Sequence, residues 1–236
     1  MLDSIPTIAQ HRCRWLKAAV LDVGPGERIF ATGVPWNVYA QLSEFRDEHR
    51  RAVRIAYLDG KIEITKTTYR AERLRVRFGL VISSLFHEFQ LPNIGSRSTT
   101  FQRCENKVGF EASDSYYVEN FRHILGLDDI DLKIHPAPDL AIELDFESVF
   151  SKEPIYSGLG IPELWLWDGV AIAFRRLQVD GSYSSITHSI AIPLASVIEV
   201  TEIVSSQVVE DDLAFHQRAR DWASRLNQSP TIFLPT

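Results

Sequence analysis

Apolar residues recur every three or four positions in several segments, which is the spacing of one helical face. The first segment covers 36–49 and follows Pro35, a residue that suits a first helical turn. The second covers 70–89 and carries a continuous apolar side. We predict helices in both segments. A short helix over 148–159, ending at Gly160, and a helical tail from about 194 that closes with a surface helix over 210–226 are also predicted.

Alternation of apolar and polar residues predicts strands in the rest of the chain. Residues 53–57 and 61–64 alternate on either side of Asp59-Gly60, a two-residue turn signal, and are predicted to form a hairpin. Further strands are predicted at 93–96, 99–103, 115–118, 140–144, 163–167, 170–177 and 183–188. This order of elements predicts one α/β domain with a mixed, partly antiparallel β-sheet flanked by helices. The domain is expected over 28–228, between an N-terminal extension (1–27) and a C-terminal tail (229–236).

Composition indicates the type of protein and the cellular environment that we expect. The 236 residues are 45% apolar and 24% charged, which is typical of a globular domain with a buried core. The chain has no apolar run of about 18 residues and no secretory signal pattern, so we expect no membrane association. Its two cysteines, Cys13 and Cys104, are far apart in sequence, which favours free thiols and a cytoplasmic location.

Charge is unevenly distributed. The net charge of −6 argues against binding nucleic acid through bulk electrostatics, but residues 46–107 hold 13 basic and 7 acidic residues. Within this segment Arg70, Arg73 and Arg77 share one face of the predicted helix 70–89. The arginines are candidates for contacts with DNA backbone phosphates, and a solvated helix surface is the alternative.

Several classes of enzyme are excluded by missing motifs. The sequence contains no Walker A loop, no dinucleotide-binding glycine fingerprint and no G-x-S-x-G nucleophile turn. Its seven histidines are scattered, with no pair at the i, i+4 spacing of a helical zinc site. The class of enzyme that these missing motifs leave open is one that uses carboxylate side chains.

The best candidate carboxylates are Asp114 and Glu143. Asp114 stands at the head of the predicted strand 115–118, and Glu143 lies within an apolar strand, where a carboxylate needs compensation. Asp139 cannot share an ion with Glu143, because four strand residues span about 13 Å. We therefore predict that Asp114 and Glu143 together hold Mg²⁺ or Mn²⁺, which prefer oxygen ligands. The alternative is that Glu143 points to solvent.

Two further residues are candidates with weaker signals. Lys152, nine residues after Glu143, begins the predicted short helix and could stabilise charge that develops in a transition state. A solvated lysine at a helix terminus is the alternative. Glu72, in the first turn of the helix 70–89, is a possible further acid, although a glutamate there also favours the helix dipole without any catalytic role.

These residues lie within a longer pattern of motifs. It comprises Gly33-Val34-Pro35-Trp36, the 58–64 segment with Asp59-Gly60, Glu72, Gly95-Ser96 with Thr99-Thr100-Phe101, the 114–118 segment, the 137–145 segment with Pro138-Asp139, and the 154–165 segment followed by Asp168-Gly169. Over about 28–225 the chain resembles the restriction-endonuclease family abundant in cyanobacteria, a branch of the PD-(D/E)XK nuclease superfamily. Asp145 stands where the superfamily signature has its lysine.

The resemblance implies a restriction-endonuclease-like core and metal-dependent hydrolysis of phosphodiester bonds. It implies that Asp114 and Glu143 are the metal ligands, that Lys152 is the catalytic lysine and that Glu72 is the helical acid. It also implies a homodimer acting on double-stranded DNA.

Three hypotheses follow from the sequence. The first is a Mg²⁺-dependent DNA endonuclease, the second a catalytically decayed nucleic-acid-binding module on the same fold, and the third a structural homodimer with solvated acids. The decisive observation is the position of Asp114 relative to Glu143. Carboxyl groups about 4–6 Å apart would support the nuclease, because one ion can bridge them. Side chains on opposite faces of the sheet would leave only the scaffold.

Overall fold

A computed structural model describes residues 8–144, 148–205 and 208–228. The helices are α1 (Ile8–Asp22), α2 (Trp36–Glu48), α3 (Tyr69–Glu88), α4 (Phe121–Ile124), α5 (Glu153–Leu159), α6 (Val197–Ser205) and α7 (Asp212–Gln228). The strands are β1 (Arg28–Ala31), β2 (Arg54–Leu58), β3 (Lys61–Thr65), β4 (Ile94–Gly95), β5 (Thr100–Arg103), β6 (Val108–Glu111), β7 (Asp114–Tyr117), β8 (Leu140–Glu143), β9 (Glu163–Trp167), β10 (Ile172–Leu177) and β11 (Tyr183–Ile186).

The described strands form two sheets. One is antiparallel throughout, with the order β1-β3-β2-β6-β5. The other has the order β11-β10-β9-β8-β7-β4 and is mixed, because β8 and β9 run parallel while the other neighbours are antiparallel. The α/β class is confirmed, whereas the expectation of one sheet is wrong. The difference comes from β6, which was not predicted and which joins the β2–β3 hairpin to β5.

The predicted helices and hairpin agree with the structure within a few residues. The hairpin turns at Asp59-Gly60, where both residues adopt the positive φ that such a two-residue turn requires. The short helix α5 ends at Gly160 in the left-handed conformation, as a helix C-terminus favours. The predicted start of this helix at 148 is too early, since α5 begins at Glu153.

Helix α1 is an element that was not predicted. It lies within 1–27, the segment expected as an N-terminal extension, and packs against α2. Leu16 and Val20 are fully buried on one side of α1, in a core shared with α2 and the five-stranded sheet. The helix therefore contributes to the folded core.

The expected tail, 229–236, lies outside the described residues.

Each face of the six-stranded sheet lies against a different hydrophobic core. On one face, α3, α6 and α7 pack over side chains that include Ile142 and Trp165. On the other face, α5 and strands of the five-stranded sheet pack over side chains that include Ala141 and Leu164. Because neighbouring residues of a strand point to opposite faces, β7 and β8 send alternate side chains into two separate environments.

Within the described ranges, no helix has the length and apolar character needed to cross a membrane.

Candidate functional site

Strand register decides whether Asp114 and Glu143 meet. Strands β7 and β8 are antiparallel neighbours, and Asp114 is paired directly with Ile142. Residues paired in this way point to the same face of a sheet, and successive residues alternate. Asp114 therefore lies on the face of Ile142, towards α3, whereas Glu143 lies on the opposite face, towards α5. Asp114 is paired with the residue directly before Glu143, and this offset of one residue places the two carboxylates on opposite faces.

The surroundings of Asp114 agree with this placement. Its carboxylate is only 2% exposed and accepts hydrogen bonds from the Tyr116 hydroxyl (2.7 Å) and from the backbone N–H of Ser115 (3.0 Å). Tyr116 belongs to the core beneath α3. Burial raises the pKa of Asp114, although the two hydrogen bonds oppose the shift. This aspartate is thus an internal partner of Tyr116.

Glu143 occupies a different buried cluster, with 5% of its surface exposed. Its Oε2 lies 3.0 Å from the Tyr156 hydroxyl and 3.3 Å from Lys152 Nζ, and its Oε1 accepts a hydrogen bond from Ser113 Oγ (3.1 Å). Burial raises the pKa of Tyr156 well above its usual value, so this phenol is a stable hydrogen-bond donor. The predicted proximity of Lys152 to Glu143 is present in the structure.

A second carboxylate, that of Glu63 on β3, approaches the same lysine. Lys152 Nζ lies 4.0 Å from Glu63 and 4.6 Å from the ring centre of Phe110. Glu63 also lies 3.4 Å from Arg28 and accepts a hydrogen bond from the backbone N–H of Val149 (2.9 Å). Among the described residues, two carboxylates therefore face two cations in a buried network that joins the two sheets.

Glu63 was not predicted as part of a site. The alternating pattern of β3 placed it on a strand, but the four residues from Ile62 to Thr65 are all buried, so both faces of this strand are covered. A charged residue at a doubly covered position needs partners. The sequence does contain that signal, but the partners become visible only when the two sheets come together.

The predicted metal pair does not fit a single ion. Asp114 and Glu143 point to opposite faces of the sheet, and each is already engaged in hydrogen bonds on its own face. Within the described ranges, no three His, Cys, Asp or Glu residues are grouped so that they could hold a metal ion. Asp145, the residue at the signature's usual lysine position, lies outside the described residues.

Glu72 has contacts that suit the start of a helix. It accepts a hydrogen bond from the Thr67 hydroxyl (2.7 Å) and lies 3.3 Å from Arg75 and 4.0 Å from Arg54. These contacts hold the first turn of α3 against the loop before it, and through Arg54 and Ser113 they also link Glu72 indirectly to Glu143. A catalytic role for Glu72 stays a prediction.

The predicted basic face of α3 lines a cleft of about 700 Å³. The cleft lies between the first half of α3, the β1–β3 side of the five-stranded sheet and the turn after β9. Seven basic side chains line it: Arg28, Arg54, Lys66, Arg70, Arg73, Arg75 and Arg77. None of the described lining residues is acidic. The helical spacing of Arg70, Arg73 and Arg77 therefore brings them to one cavity.

Acidic residues from outside the lining reach some of these cations. Glu63 pairs with Arg28, Glu72 pairs with Arg54 and Arg75, and Asp212 of α7 lies 2.6 Å from Arg73. Over these groups alone, the seven cations outnumber the three carboxylates by four. In a protein with a net charge of −6, the described groups in and around the cleft therefore carry a local excess of positive charge, which favours anions.

The cleft is connected to the Glu143 cluster through Ser113. Ser113 and Leu144 are both part of its lining, and Ser113 Oγ accepts a hydrogen bond from Arg54 (2.8 Å) while it donates to Glu143. A single hydroxyl therefore connects the basic lining with the buried carboxylate.

Comparison with known proteins adds no assignment. No protein-family model matches the sequence, and none of the curated proteins matches it.

Proposed function

We propose that this chain binds nucleic acid, with the phosphate backbone held in the basic cleft, on a restriction-endonuclease-like scaffold. The observation that carries the proposal is the set of seven basic side chains around one cavity whose described lining includes no acidic residue. Six of the seven are arginines, whose planar guanidinium groups match the geometry of phosphate oxygens. The mixed order of β7, β8 and β9 and the Glu143–Lys152 contact support the scaffold assignment.

Binding without cleavage is the form of this function that the geometry supports best. The two predicted metal ligands lie on opposite faces of the sheet. In addition, Lys152 contacts both Glu143 and Glu63, and Arg28 contacts Glu63, so two cations already lie beside the buried carboxylates. This corresponds to the second hypothesis drawn from the sequence, a nucleic-acid-binding module without catalysis.

Fluorescence anisotropy with labelled oligonucleotides tests the proposal. We expect binding that weakens steeply between about 50 and 200 mM salt, because phosphate contacts release counterions. The double variant Arg70→Ala/Arg77→Ala should bind at least tenfold more weakly, with a salt slope lower by about 0.7–0.9 for each phosphate that is no longer neutralised. Arg122→Ala/Lys133→Ala, which removes two cations that do not line the cleft, is the matched control.

Two results would contradict the proposal. One is the absence of salt-sensitive binding by the wild-type chain to single-stranded and double-stranded probes alike. The other is equal affinity of the cleft variant and the control variant, which would locate any binding elsewhere.

A metal-dependent DNA endonuclease is the second candidate. It is favoured by the Lys152–Glu143 contact of 3.3 Å, which Ser113 connects to the cleft. Plasmid nicking in Mg²⁺ or Mn²⁺ tests this candidate. Cleavage that is absent in Glu143→Gln but kept in Asp114→Asn would support a site centred on Glu143. Metal-dependent cleavage that survives Asp114→Ala combined with Glu143→Ala would rule out both residues.

Two further parts of the proposal concern the setting of the protein. A cytoplasmic location is supported by Cys13 and Cys104, which are both free thiols. A homodimer is proposed from the family resemblance, and light scattering after size-exclusion chromatography would measure it directly.

A further inference from the structure

The basic cleft also has an apolar wall. Besides the basic residues, the lining includes the apolar residues Leu74, Leu144, Trp167, Val170 and Val204. Trp167 is 6% exposed and packs edge-on against Phe78, so this wall is backed by the rigid core under α3. Val170, in the turn after β9, is 75% exposed and stands at the mouth of the cleft. Cationic and apolar side chains therefore line a single cavity.

A cavity with both cationic and apolar lining suits an unpaired strand of nucleic acid better than a duplex. A duplex presents phosphates and sugars on its outside and keeps the faces of its bases stacked inside, so an apolar wall beside the phosphate contacts would meet no base. An unpaired strand exposes both its phosphates and its base faces. A cavity of about 700 Å³ is within the usual range of small-ligand sites, which suits one or two nucleotides.

An exposed aromatic residue lies beside the cleft. Tyr69, the first residue of α3, is 81% exposed and follows Thr68, which is part of the lining. Arg73 is four residues further along the helix and hence on the same side. A solvated ring next to phosphate-binding arginines is the arrangement that proteins use for stacking unpaired bases.

We infer that the ligand of the cleft is an unpaired stretch of nucleic acid, with its phosphates on the arginines, one base against the apolar wall and a neighbouring base on Tyr69. The inference rests on the proposed function and replaces the double-stranded DNA expected from the sequence.

Three probes of equal length separate the inference from the proposed function: an oligothymidylate, the same sugar–phosphate strand without bases, and a duplex. We expect the oligothymidylate to bind at least about tenfold more tightly than the abasic strand, in keeping with the usual contribution of base stacking. Equal binding of these two strands, or tighter binding of the duplex, would overturn the inference while leaving phosphate binding intact. Failure of all three probes to bind would overturn the proposed function as well.

The double variant Tyr69→Ala/Val170→Ser removes two exposed side chains that would touch bases. Both side chains are largely solvated, so the fold should tolerate the change. We expect the affinity for oligothymidylate to fall about tenfold and the affinity for the abasic strand to stay within about twofold, because stacking is removed while the charges remain. Tyr69→Phe, which keeps the ring, should bind like the wild-type chain. An equal decrease for both strands would contradict a role in base binding.

Discussion

At the scale of single residues, the buried acids of this chain are distinguished by their partners. Asp139, rejected as a metal partner of Glu143, accepts hydrogen bonds from the backbone N–H groups of Val118, Glu119 and Asn120. It fixes the loop before α4 and so has a structural task, as expected for an acid at a strand entrance. Asp114 differs from Asp139 because fewer hydrogen-bond donors contact its carboxylate. These donors compensate only part of the cost of burying its charge.

The raised pKa of Asp114 gives a prediction about stability. Because burial raises this pKa, the folded chain holds the proton to a higher pH than the unfolded chain does. Between the ordinary aspartate pKa and the raised value, the contribution of Asp114 to the free energy of unfolding therefore falls as pH rises. Asp114→Asn, which carries no charge at any pH, should gain stability relative to the wild-type chain across this window and keep the gain above it.

Urea unfolding of both proteins at a series of pH values from about 4 to 7 measures this difference. The comparison cancels the titration of the other groups, since these are common to both chains. A difference that is constant over the whole series would show that Asp114 is not destabilised by its burial.

At the scale of elements, two glycines differ in the space available around them, although the sequence does not indicate this difference. Gly109 lies in β6, and a Cβ atom there would overlap the ring and hydroxyl of Tyr39. Gly79 lies in the middle of α3, and the nearest atom to a Cβ there is a carboxylate oxygen of Asp114 at 3.9 Å. Close packing explains the first glycine, whereas space remains at the second.

Alanine at each position should therefore have opposite effects. Gly109→Ala should lower the free energy of unfolding by about 3 kcal/mol or more, because the buried Tyr39 cannot move aside without overpacking. Gly79→Ala should raise it by about 0.5–1 kcal/mol, since alanine is the better helix former. Chemical denaturation of the two variants checks both values. Equal effects would mean that the packing around Gly109 is looser than described.

Periodicity in the sequence was sufficient for most elements but not for all of them. Helices α2 and α3 and the β2–β3 hairpin carry strong repeats and lie close to their predicted bounds. Strand β6 has only four residues, one of them glycine, so no alternation could be recognised. Helix α1 did carry a signal, because Leu16, Ala19 and Val20, with Val23 directly after the helix, are spaced like one helical face and are all buried.

At the scale of the whole molecule, the two sheets are connected by the buried charges as well as by apolar packing. Lys152 lies between Glu143 of the six-stranded sheet and Glu63 of the five-stranded sheet. The arginine face of α3 followed from helical spacing. The contact between Lys152 and Glu63 depends on how the two sheets pack. The position of Asp114 relative to Glu143 depends on strand register. No local sequence pattern encodes either of these.

Removal of the bridging ammonium should destabilise the whole chain. In Lys152→Met two buried carboxylates would lose their common cation, which typically costs about 3–5 kcal/mol. The matched control is Lys107→Met, whose ion pair with Asp59 is largely exposed and contributes less than about 1 kcal/mol. Urea unfolding followed by tryptophan fluorescence and by circular dichroism measures both variants. A decrease in Lys152→Met no larger than in the control would show that the buried network does not stabilise the junction.

The hydroxyl of Ser113 has a consequence for how this fold could acquire new chemistry. Ser113 precedes Asp114, lines the cleft, donates a hydrogen bond to Glu143 and accepts one from Arg54. An aspartate in place of this serine would set a second carboxylate beside Glu143 without any change in strand pairing. One substitution would therefore supply two neighbouring carboxylates, the first requirement for holding a divalent cation on this framework.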